Sequence, residues 1–268
     1  MSETLALNTT PQSENSLKTW WENRRRPLKA WLHMRKLIAD KEDTAQVFYI
    51  IKYLNGRAIF KDFADFMKSP EGQARFSERR DLIPYLDDHA RWEALPAGTV
   101  GRAYVDFMQS QGLTAQGLVD EYERFGAKEE FAGLDPDVLW YGDRRRDTHD
   151  LLHVLTSYSR DALGEASVLA FSHGQNRGLG VIFIAWVAAM EIKKTAPKGA
   201  PVLRSIREGF KIGKAAKKVA REDILALMEE PLDVARERLG ITLPKAYHQC
   251  HETFRNAGID PFETLATA

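Results

Sequence analysis

Four side chains that can bind a metal ion lie within seventeen residues of one another, namely His149, Asp150, His153 and Glu165. Successive residues of a helix turn by about 100°, which puts His149 and His153 about 40° apart and Asp150 about 60° beyond His153. One helix can therefore direct three of these side chains toward one point. Glu165 follows a predicted break at residues 157–159, so a second helix can return it to the same point. The pattern predicts a metal site on a helical hairpin.

The expected ligand set, two imidazoles and two carboxylates, favours a transition metal. Imidazole nitrogen disfavours Mg²⁺ and Ca²⁺, which prefer oxygen ligands, and suits zinc, iron, manganese or cobalt. We expect zinc first and iron second, because two histidines with one carboxylate are also the ligands of oxygen-activating non-heme iron. The alternative is that the His-x-x-x-His pair lies on a solvated or cleft-lining helix face and binds no ion.

The same residues carry a resemblance to a known family. His149-Asp150-Leu-Leu-His153, eleven further residues and Glu165 resemble the H-D-x-x-H-x11-E signature of the ubiquinone biosynthesis protein four (Coq4) family. Four other stretches resemble it too: 146–148 (RDT), 163–164 (LG), 94–104 (ALPAGTVGRAY) and 230–241 (EPLDVARERLGI). The similarity spans about residues 58 to 244. The chain departs from the family pattern at 224–228, where an aromatic, arginine-rich lead-in is missing, and in a tail from Tyr247 to Ala268.

The resemblance implies an enzyme of ubiquinone biosynthesis. Its expected substrate is a polyprenylated aromatic lipid, a polyprenyl hydroxybenzoate, that loses its carboxylate at C1 with oxidation or hydroxylation there. The ion would bind the substrate carboxylate or a phenolic oxygen, with His149, Asp150, His153 and Glu165 as catalytic and ligand residues. Asp150 or Glu165 is a candidate for moving protons. The alternative is a non-catalytic scaffold that binds lipid and other ubiquinone-biosynthesis proteins, in which the metal only joins two helices.

Three consecutive arginines precede the ligands. On a continuous helix Arg146 falls on the ligand face one turn before His149, where its guanidinium could hold the carboxylate of an aromatic acid. For Arg144 and Arg145 we favour a surface run that neighbouring aspartates neutralise. Arg146 is therefore the predicted substrate-binding arginine.

Two other metal enzymes share part of the signature. A phosphohydrolase of the HD type would use His149-Asp150 with a separate histidine and aspartate, for which His89 and Asp161 are candidates. That interpretation gives the other two predicted ligands no role. A zinc protease would need a glutamate between the histidines, where this chain has Asp150. Both alternatives are weaker than the ubiquinone-biosynthesis prediction.

Helical periodicity dominates the sequence and predicts an all-α fold in a single multi-helix domain. One helix is expected to end at Asn55-Gly56, one to run from Asp135-Pro136 toward Tyr158, and one to begin after an N-cap at Asp161. A further helix is expected between Pro231 and Gly240. The predicted organisation is a polar tail (1–15), the all-α domain (16–244) and a C-terminal extension (245–268).

Composition excludes several classes of function. Lys and Arg total 38, as do Asp and Glu, so no overall positive field exists to attract nucleic acid. The single cysteine, Cys250, excludes an internal disulfide and a thiolate zinc site. The longest apolar run, Leu179–Met190, is shorter than the roughly 20 residues that span a bilayer. With no targeting segment evident, we expect a bacterial-type cytoplasmic protein, peripheral to the inner face of the membrane.

A peripheral membrane contact is expected because the implied substrate is a lipid. Basic residues recur at spacings of three and four between Pro201 and Val219, next to an apolar stripe of Leu203, Ile206 and Phe210. This predicts a basic amphipathic helix whose Arg207, Lys211 and Lys214 contact anionic lipid. The alternative is a solvated helix face. The run Leu179–Met190 is expected to line a tunnel for the lipid tail or to form a core helix, and the oligomeric state, monomer or homodimer, stays open.

Overall fold

The structure is a computed structural model that describes residues 24–262 except 41–42, 44, 125, 127–130 and 132. Every regular element within these residues is helical, and the only extended pairing there is an isolated antiparallel bridge between Thr99 and Pro231. The all-α prediction is therefore confirmed. The predicted polar tail (1–15) and the last six residues of the predicted extension (263–268) lie outside the described residues.

Sixteen α-helices and one 3₁₀ turn, Val219–Arg221, make up the described part of the chain. The helices are α1 (Pro27–Ala39), α2 (Ala45–Asn55), α3 (Ala58–Met67), α4 (Pro70–Glu78), α5 (Ile83–Leu86), α6 (His89–Glu93), α7 (Val100–Gln111), α8 (Ala115–Arg124), α9 (Pro136–Asp147), α10 (His149–Thr156), α11 (Ala162–Gln175), α12 (Leu179–Thr195), α13 (Val202–Ala215), α14 (Ile224–Glu229), α15 (Leu232–Leu239) and α16 (Lys245–Asn256).

Several helices begin and end at the predicted caps. The Asp135 carboxylate accepts a hydrogen bond from the Asp137 amide, and the Asp161 carboxylate accepts bonds from the first turn of α11. Pro231 precedes α15, which ends at Gly240 in the left-handed conformation (φ 71°) that glycine adopts without strain. Local sequence therefore sets these boundaries.

The prediction of one helix from Asp135 toward Tyr158 is wrong, because the chain breaks at Thr148. Helix α9 ends at Asp147, Thr148 has ψ 8°, and α10 begins at His149. The Thr148 hydroxyl donates a hydrogen bond to the Arg144 carbonyl oxygen (2.9 Å), a back-bond that bends helices. Residues before the break consequently do not keep the helical phase that the sequence predicted for them.

Helix α11 lies at the centre of the main hydrophobic core and packs against α12 and α13. The contact with α13 is close because α13 presents glycines. A Cβ atom on Gly209 would lie 2.5 Å from the Ser167 carbonyl oxygen, and one on Gly213 would collide with the Phe171 carbonyl. Only glycine permits this spacing between the two helices.

A smaller cluster joins α1, α2 and α12 through Ala30, Met34, Ile50 and Ile184. Trp31 also meets Phe183 of α12 edge to face, with ring centroids 6.4 Å apart. Among the helices of the described range, none combines the length and the apolar character that crossing a bilayer requires.

Candidate metal centre

The α10–α11 hairpin brings three of the four predicted ligands together. Glu165 Oε2 lies 3.6 Å from His149 Nε2 and 3.5 Å from His153 Nε2. One ligand atom from each of the three side chains lies within 4.8 Å of the other two. Asp150 is outside this group, although it lines the same cavity.

The hairpin geometry follows from a short loop. His149 and His153 are one turn apart at the start of α10, which places their side chains on one face. Ser157 then takes a left-handed conformation (φ 59°) that ends α10. Asp161 is the N-cap of α11, and Glu165 lies in the first turn of this helix. The Glu165 amide donates a hydrogen bond of 2.9 Å to the Asp161 carbonyl oxygen. The loop therefore sets the distance between the histidines and Glu165.

The ring of His153 has a defined tautomer. Its side chain is buried, and Nδ1 lies 3.0 Å from the Tyr158 carbonyl oxygen, which can only accept a hydrogen bond. Nδ1 therefore carries a proton, and in the neutral ring Nε2 presents a lone pair. That Nε2 is buried and has no hydrogen-bond partner among the described residues. The Phe107 ring stacks on the imidazole at 5.3 Å and restricts its rotation.

Charge is concentrated at these three side chains. Burial opposes ionisation of Glu165, but the two facing imidazoles outweigh burial and hold the pKa of that carboxyl below its usual range. Burial also opposes the protonation of His149, but Glu165 outweighs it and raises the pKa of this histidine. A half-buried carboxylate thus faces two imidazoles, an arrangement that favours a cation between them.

The sequence analysis missed Arg160, which contacts the group, and Tyr104, whose buried hydroxyl lies near Asp150. Arg160 lines the cavity and is exposed, with its Nε 3.5 Å from Glu165 Oε1. The sequence feature that could have identified Arg160 is its place in the hairpin loop, five residues before Glu165. Tyr104 is fully buried, and its hydroxyl has no hydrogen-bond partner in the described chain. Burial, followed by the nearby charge of Asp150, raises the pKa of Tyr104.

The predicted substrate arginine, Arg146, lines the same cavity but is already paired. Its guanidinium lies 2.8 Å from a carboxylate oxygen of Asp143 and 2.8 Å from one of Asp147, and it stacks over the Tyr122 ring. The side chain is mostly buried, whereas that of Arg160 is 40% exposed. Arg146 therefore has fewer free donors for a ligand than Arg160.

The expectation that Arg144 and Arg145 form a neutralised surface run is wrong. Arg144 is only 4% exposed and donates hydrogen bonds to the carbonyl oxygens of Ala220 and Glu222. Arg145 is half-buried and stacks over the Tyr141 ring. Arg144 therefore holds α9 against a part of the chain more than seventy residues away in sequence, whereas the ring contact of Arg145 lies within α9.

The residues nominated for an HD-type phosphohydrolase do not join the three-residue group. Asp161 is occupied by other partners: the Tyr247 hydroxyl donates to its Oδ2, and His251 Nε2 lies 3.2 Å from its Oδ1. His89 begins a separate short helix, α6. The geometry therefore gives this alternative no support.

His149 and Glu165 line a cavity of about 1670 Å³, larger than the roughly 300–1,000 Å³ of ordinary ligand sites. His149, Asp150, Glu165, Arg160 and Arg146 line one part of its wall. Much of the remaining wall is apolar and comes from α1, α2, α11 and α12, as with Met34, Leu37, Val47, Ile51, Leu169, Val181, Ile184 and Val187. The predicted apolar run Leu179–Met190 thus contributes both to the core and to the cavity wall.

The predicted basic amphipathic helix is α13. Arg207, Lys211 and Lys214 are exposed along it, as is Arg204, while its opposite face is buried against α11. Lys218, predicted on the same stripe, lies beyond the helix and donates to the Gln175 carbonyl oxygen. The helix and its exposed cations are therefore confirmed, and the contact with lipid stays a prediction.

The chain is similar to proteins of ubiquinone biosynthesis. The proteins described as "Ubiquinone biosynthesis protein COQ4 homolog, mitochondrial" include one from Bos taurus, 29% identical over 192 residues, which are 70% of this chain and 68% of that protein. The one from Danio rerio is 32% identical over 107 residues, 40% of this chain and 36% of that protein. The matches thus span from about a third to about two thirds of these two relatives.

A solved structure has the same fold. The crystal structure of a putative ubiquinone biosynthesis protein from Nostoc punctiforme superposes with a TM-score of 0.60, covering 81% of this chain and 98% of that one at 21% identity. The family model described as coenzyme Q (ubiquinone) biosynthesis protein Coq4 matches residues 54–245. Because this match covers well over half of the sequence, the chain belongs to the Coq4 family of ubiquinone biosynthesis proteins.

Proposed function

We propose that this chain binds one divalent metal ion through His149, His153 and Glu165 and uses it to remove the carboxylate from C1 of a polyprenyl hydroxybenzoate. The observation that carries the proposal is the His153 Nε2 atom, a buried ring nitrogen 3.5 Å from Glu165 Oε2 with no hydrogen-bond partner in the described range. When the ring is neutral, this nitrogen and the carboxylate oxygen are both acceptors, and they repel each other unless a proton or a cation lies between them.

The two contacts to Glu165 fit an ion better than hydrogen bonds. Nitrogen-to-oxygen hydrogen bonds are about 2.7–3.2 Å long, shorter than both contacts to Glu165. Two ligand atoms about 2.1 Å from one ion, at a tetrahedral angle, lie about 3.4 Å apart, close to the observed 3.5 and 3.6 Å. The bond from His153 Nδ1 to a backbone carbonyl is also the usual outer support of a metal-binding histidine.

The donor set favours zinc first and iron second. Three protein donors would leave a fourth position for water or substrate, as in catalytic zinc sites, and two histidines with one carboxylate also suit iron with open positions. Asp150, predicted as a fourth ligand, stays a candidate for proton transfer because it lies on α10 beside the group and faces the cavity. When bound, the ion would supply Lewis-acid polarisation of the substrate oxygens.

The chain's own residues would orient the substrate. Arg160 contacts Glu165 and is more accessible than Arg146, so we assign it the substrate carboxylate, with Arg146 as second candidate. The apolar wall would hold the polyprenyl tail and exclude water from the ring. Loss of carbon dioxide leaves an electron pair at C1, which either takes up a proton or is transferred to an oxidant such as dioxygen. Asp150 is the candidate proton donor for the first outcome.

The test combines metal analysis with product analysis. Purified protein should contain about one equivalent of zinc or iron. Incubation with polyprenyl hydroxybenzoate, with and without dioxygen, should give a ring product that has lost the carboxylate mass, as detected by mass spectrometry. If the protein binds metal and lipid but leaves the substrate unchanged, it is a lipid-binding scaffold for other ubiquinone-biosynthesis proteins. Phosphatase turnover with added manganese would instead favour the HD-type alternative.

A lipid substrate also implies a contact with the membrane, and the exposed cations of α13 support one. Each cation close to an anionic surface contributes about 1 kcal/mol. Changing Arg207, Lys211 and Lys214 together to Gln should therefore weaken binding to anionic liposomes, most clearly at low salt. If this triple variant floats with liposomes as well as the parent does, α13 is not the contact.

A further inference from the structure

Large apolar side chains are exposed on α1 to an unusual extent. Within the described residues, ten large hydrophobic side chains are exposed, and four of them belong to this thirteen-residue helix. Leu28 is 81% exposed, Trp31 48%, Leu32 55% and Ile38 41%. At about 100° per residue, the first three fall on one face, with Ile38 at its edge. This exposed set, Leu28, Trp31, Leu32 and Ile38, is the outer face of α1.

The opposite side of α1 is also apolar. Ala30 and Met34 are buried in the cluster with α2 and α12, and Leu37 packs against that cluster. The helix therefore presents apolar side chains both toward the core and away from it, with Arg35 among those of the outer face and Lys29 and Lys36 on a narrow polar arc beside them. A helix that is apolar on nearly all sides normally has a second apolar environment besides the core.

Charge indicates the chemistry of that environment. Lys29, Arg35 and Lys36 are exposed on α1, and the helix contains no acidic residue. Apolar side chains flanked by cations are typical of helices that lie in the surface of an anionic bilayer. A second copy of the same chain would place these cations against each other, which disfavours self-association through this face.

The position of the cavity favours a lipid surface over an acidic protein as the partner of the outer face of α1. Met34, Leu37 and Ile38 line the same cavity as His149 and Glu165. Ile38 belongs both to the cavity wall and to the outer face, so α1 is a wall between the cavity and the exterior. A lipid that leaves a bilayer beside α1 would meet the apolar wall of the cavity without crossing water.

We propose that α1 lies flat in the surface of an anionic lipid bilayer, with Leu28, Trp31 and Leu32 in the interface, and admits the lipid to the cavity. This inference rests on the proposed function, because it assumes a lipid ligand. It differs from a contact through α13. The exposed positions of α13 are cations and one small residue, Ala215, so that helix offers charge without an apolar surface to insert.

The test is flotation of the full chain with vesicles of equal parts phosphatidylcholine and phosphatidylglycerol. The variant Leu28→Gln/Leu32→Gln leaves Trp31 and the cavity wall unchanged. It should reduce the partition coefficient by about tenfold for each leucine that inserts fully, because burial of one leucine shifts an equilibrium by about that factor. A matched control, Val234→Gln/Leu243→Gln, changes two residues that are 50% and 53% exposed elsewhere and should bind like the parent.

Salt separates the apolar contribution from the electrostatic one. Raising the salt concentration should weaken binding of the parent only in part, whereas binding that remains in high salt should be lost in the leucine variant. The proposal is overturned if the leucine variant floats like the parent, or if the parent does not bind these vesicles. It is also overturned if sedimentation shows that the same variant dissociates a dimer, which would make a second copy the occupant of this face.

Turnover in detergent keeps this proposal separate from the proposed function. Leu28 and Leu32 line no part of the cavity, so the leucine variant should keep its metal content and its turnover of detergent-solubilised substrate. Loss of vesicle binding with retained turnover supports α1 as the entry surface. If the parent protein binds vesicles normally but shows no turnover, the proposed enzymatic activity is refuted and the proposed membrane contact of α1 stands.

Discussion

Replacement of Glu165 by Gln tests the metal centre most directly, because it keeps the shape of the side chain and removes its charge. In the metal-free protein the ionised carboxylate faces His149 and His153, and its pKa is lowered by these imidazoles. A lowered pKa stabilises the fold above the unfolded pKa, and this stabilisation is lost as the pH falls through the folded value. Glu165→Gln should therefore already be less stable without metal. The informative quantity is the metal-dependent shift in melting temperature.

The size of that shift follows from linkage. An ion at one hundred times its dissociation constant stabilises the native state by about 2.7 kcal/mol. In proteins of this size each kcal/mol raises the melting temperature by about 2–4 °C, so zinc should raise it by about 5–10 °C. Losing a supporting contact of a metal ligand typically costs about 10- to 100-fold in affinity, and a direct ligand should cost at least the upper value. The same zinc concentration should then shift Glu165→Gln by less than about 2 °C.

Asp150→Asn provides the matched comparison. Asp150 is also a cavity carboxylate on the hairpin, but it lies outside the group of three. The Asp150→Asn variant should keep most of the zinc-dependent shift in melting temperature when both variants are followed by differential scanning fluorimetry at neutral pH. A shift in Glu165→Gln equal to that of the parent would show that Glu165 is not a ligand. An equal loss in Asp150→Asn would show that the ion sits elsewhere on α10.

Contacts outside the ligand group give three further expectations. Arg160→Gln should weaken binding of 4-hydroxybenzoate by about tenfold or more and leave binding of phenol unchanged. Arg146→Gln should still bind 4-hydroxybenzoate more tightly than phenol. Calorimetry with both ligands decides between the two arginines. Gly213→Ala forces a side chain onto a backbone carbonyl of α11 and should lower the free energy of unfolding by about 1–3 kcal/mol in urea titrations. The control is Gly133→Ala, whose Cβ would meet no atom within 4 Å and which should leave the free energy of unfolding unchanged. Tyr247→Phe removes a donor to a buried carboxylate and should cost about 1–3 kcal/mol in the same titrations, so an unchanged midpoint would contradict that hydrogen bond.

The parts of the fold that were predictable depend on local chemistry. Asp135 and Asp161 cap helices because a short carboxylate can reach the amides two or three residues ahead, and both caps are found as predicted. The meeting of His149, His153 and Glu165 was expected for a similar reason, since helical spacing and one short loop fix their separation. Each of these features involves a stretch of fewer than twenty residues.

Long-range contacts explain what the sequence did not reveal. Arg144 looked like part of a charged surface run, but its guanidinium bonds two backbone carbonyls at residues 220 and 222. Asp161 was visible as a helix cap, but not as the partner of Tyr247 and His251 on α16. Partners separated by more than seventy residues leave no periodic pattern, so composition and spacing carry no information about them.

The break at Thr148 combines these two kinds of feature, a local hydrogen bond and pairings that the sequence did not reveal. On a continuous helix Arg146 would precede His149 by one turn on the same face. The back-bond from Thr148 to Arg144 ends α9 instead, and Arg146 pairs with two aspartates. Arg160 reaches the site from the opposite end of α10, through a loop whose conformation is set by the Ser157 backbone and the Asp161 cap. The arginine that contacts Glu165 is therefore Arg160 of the loop and not the predicted Arg146.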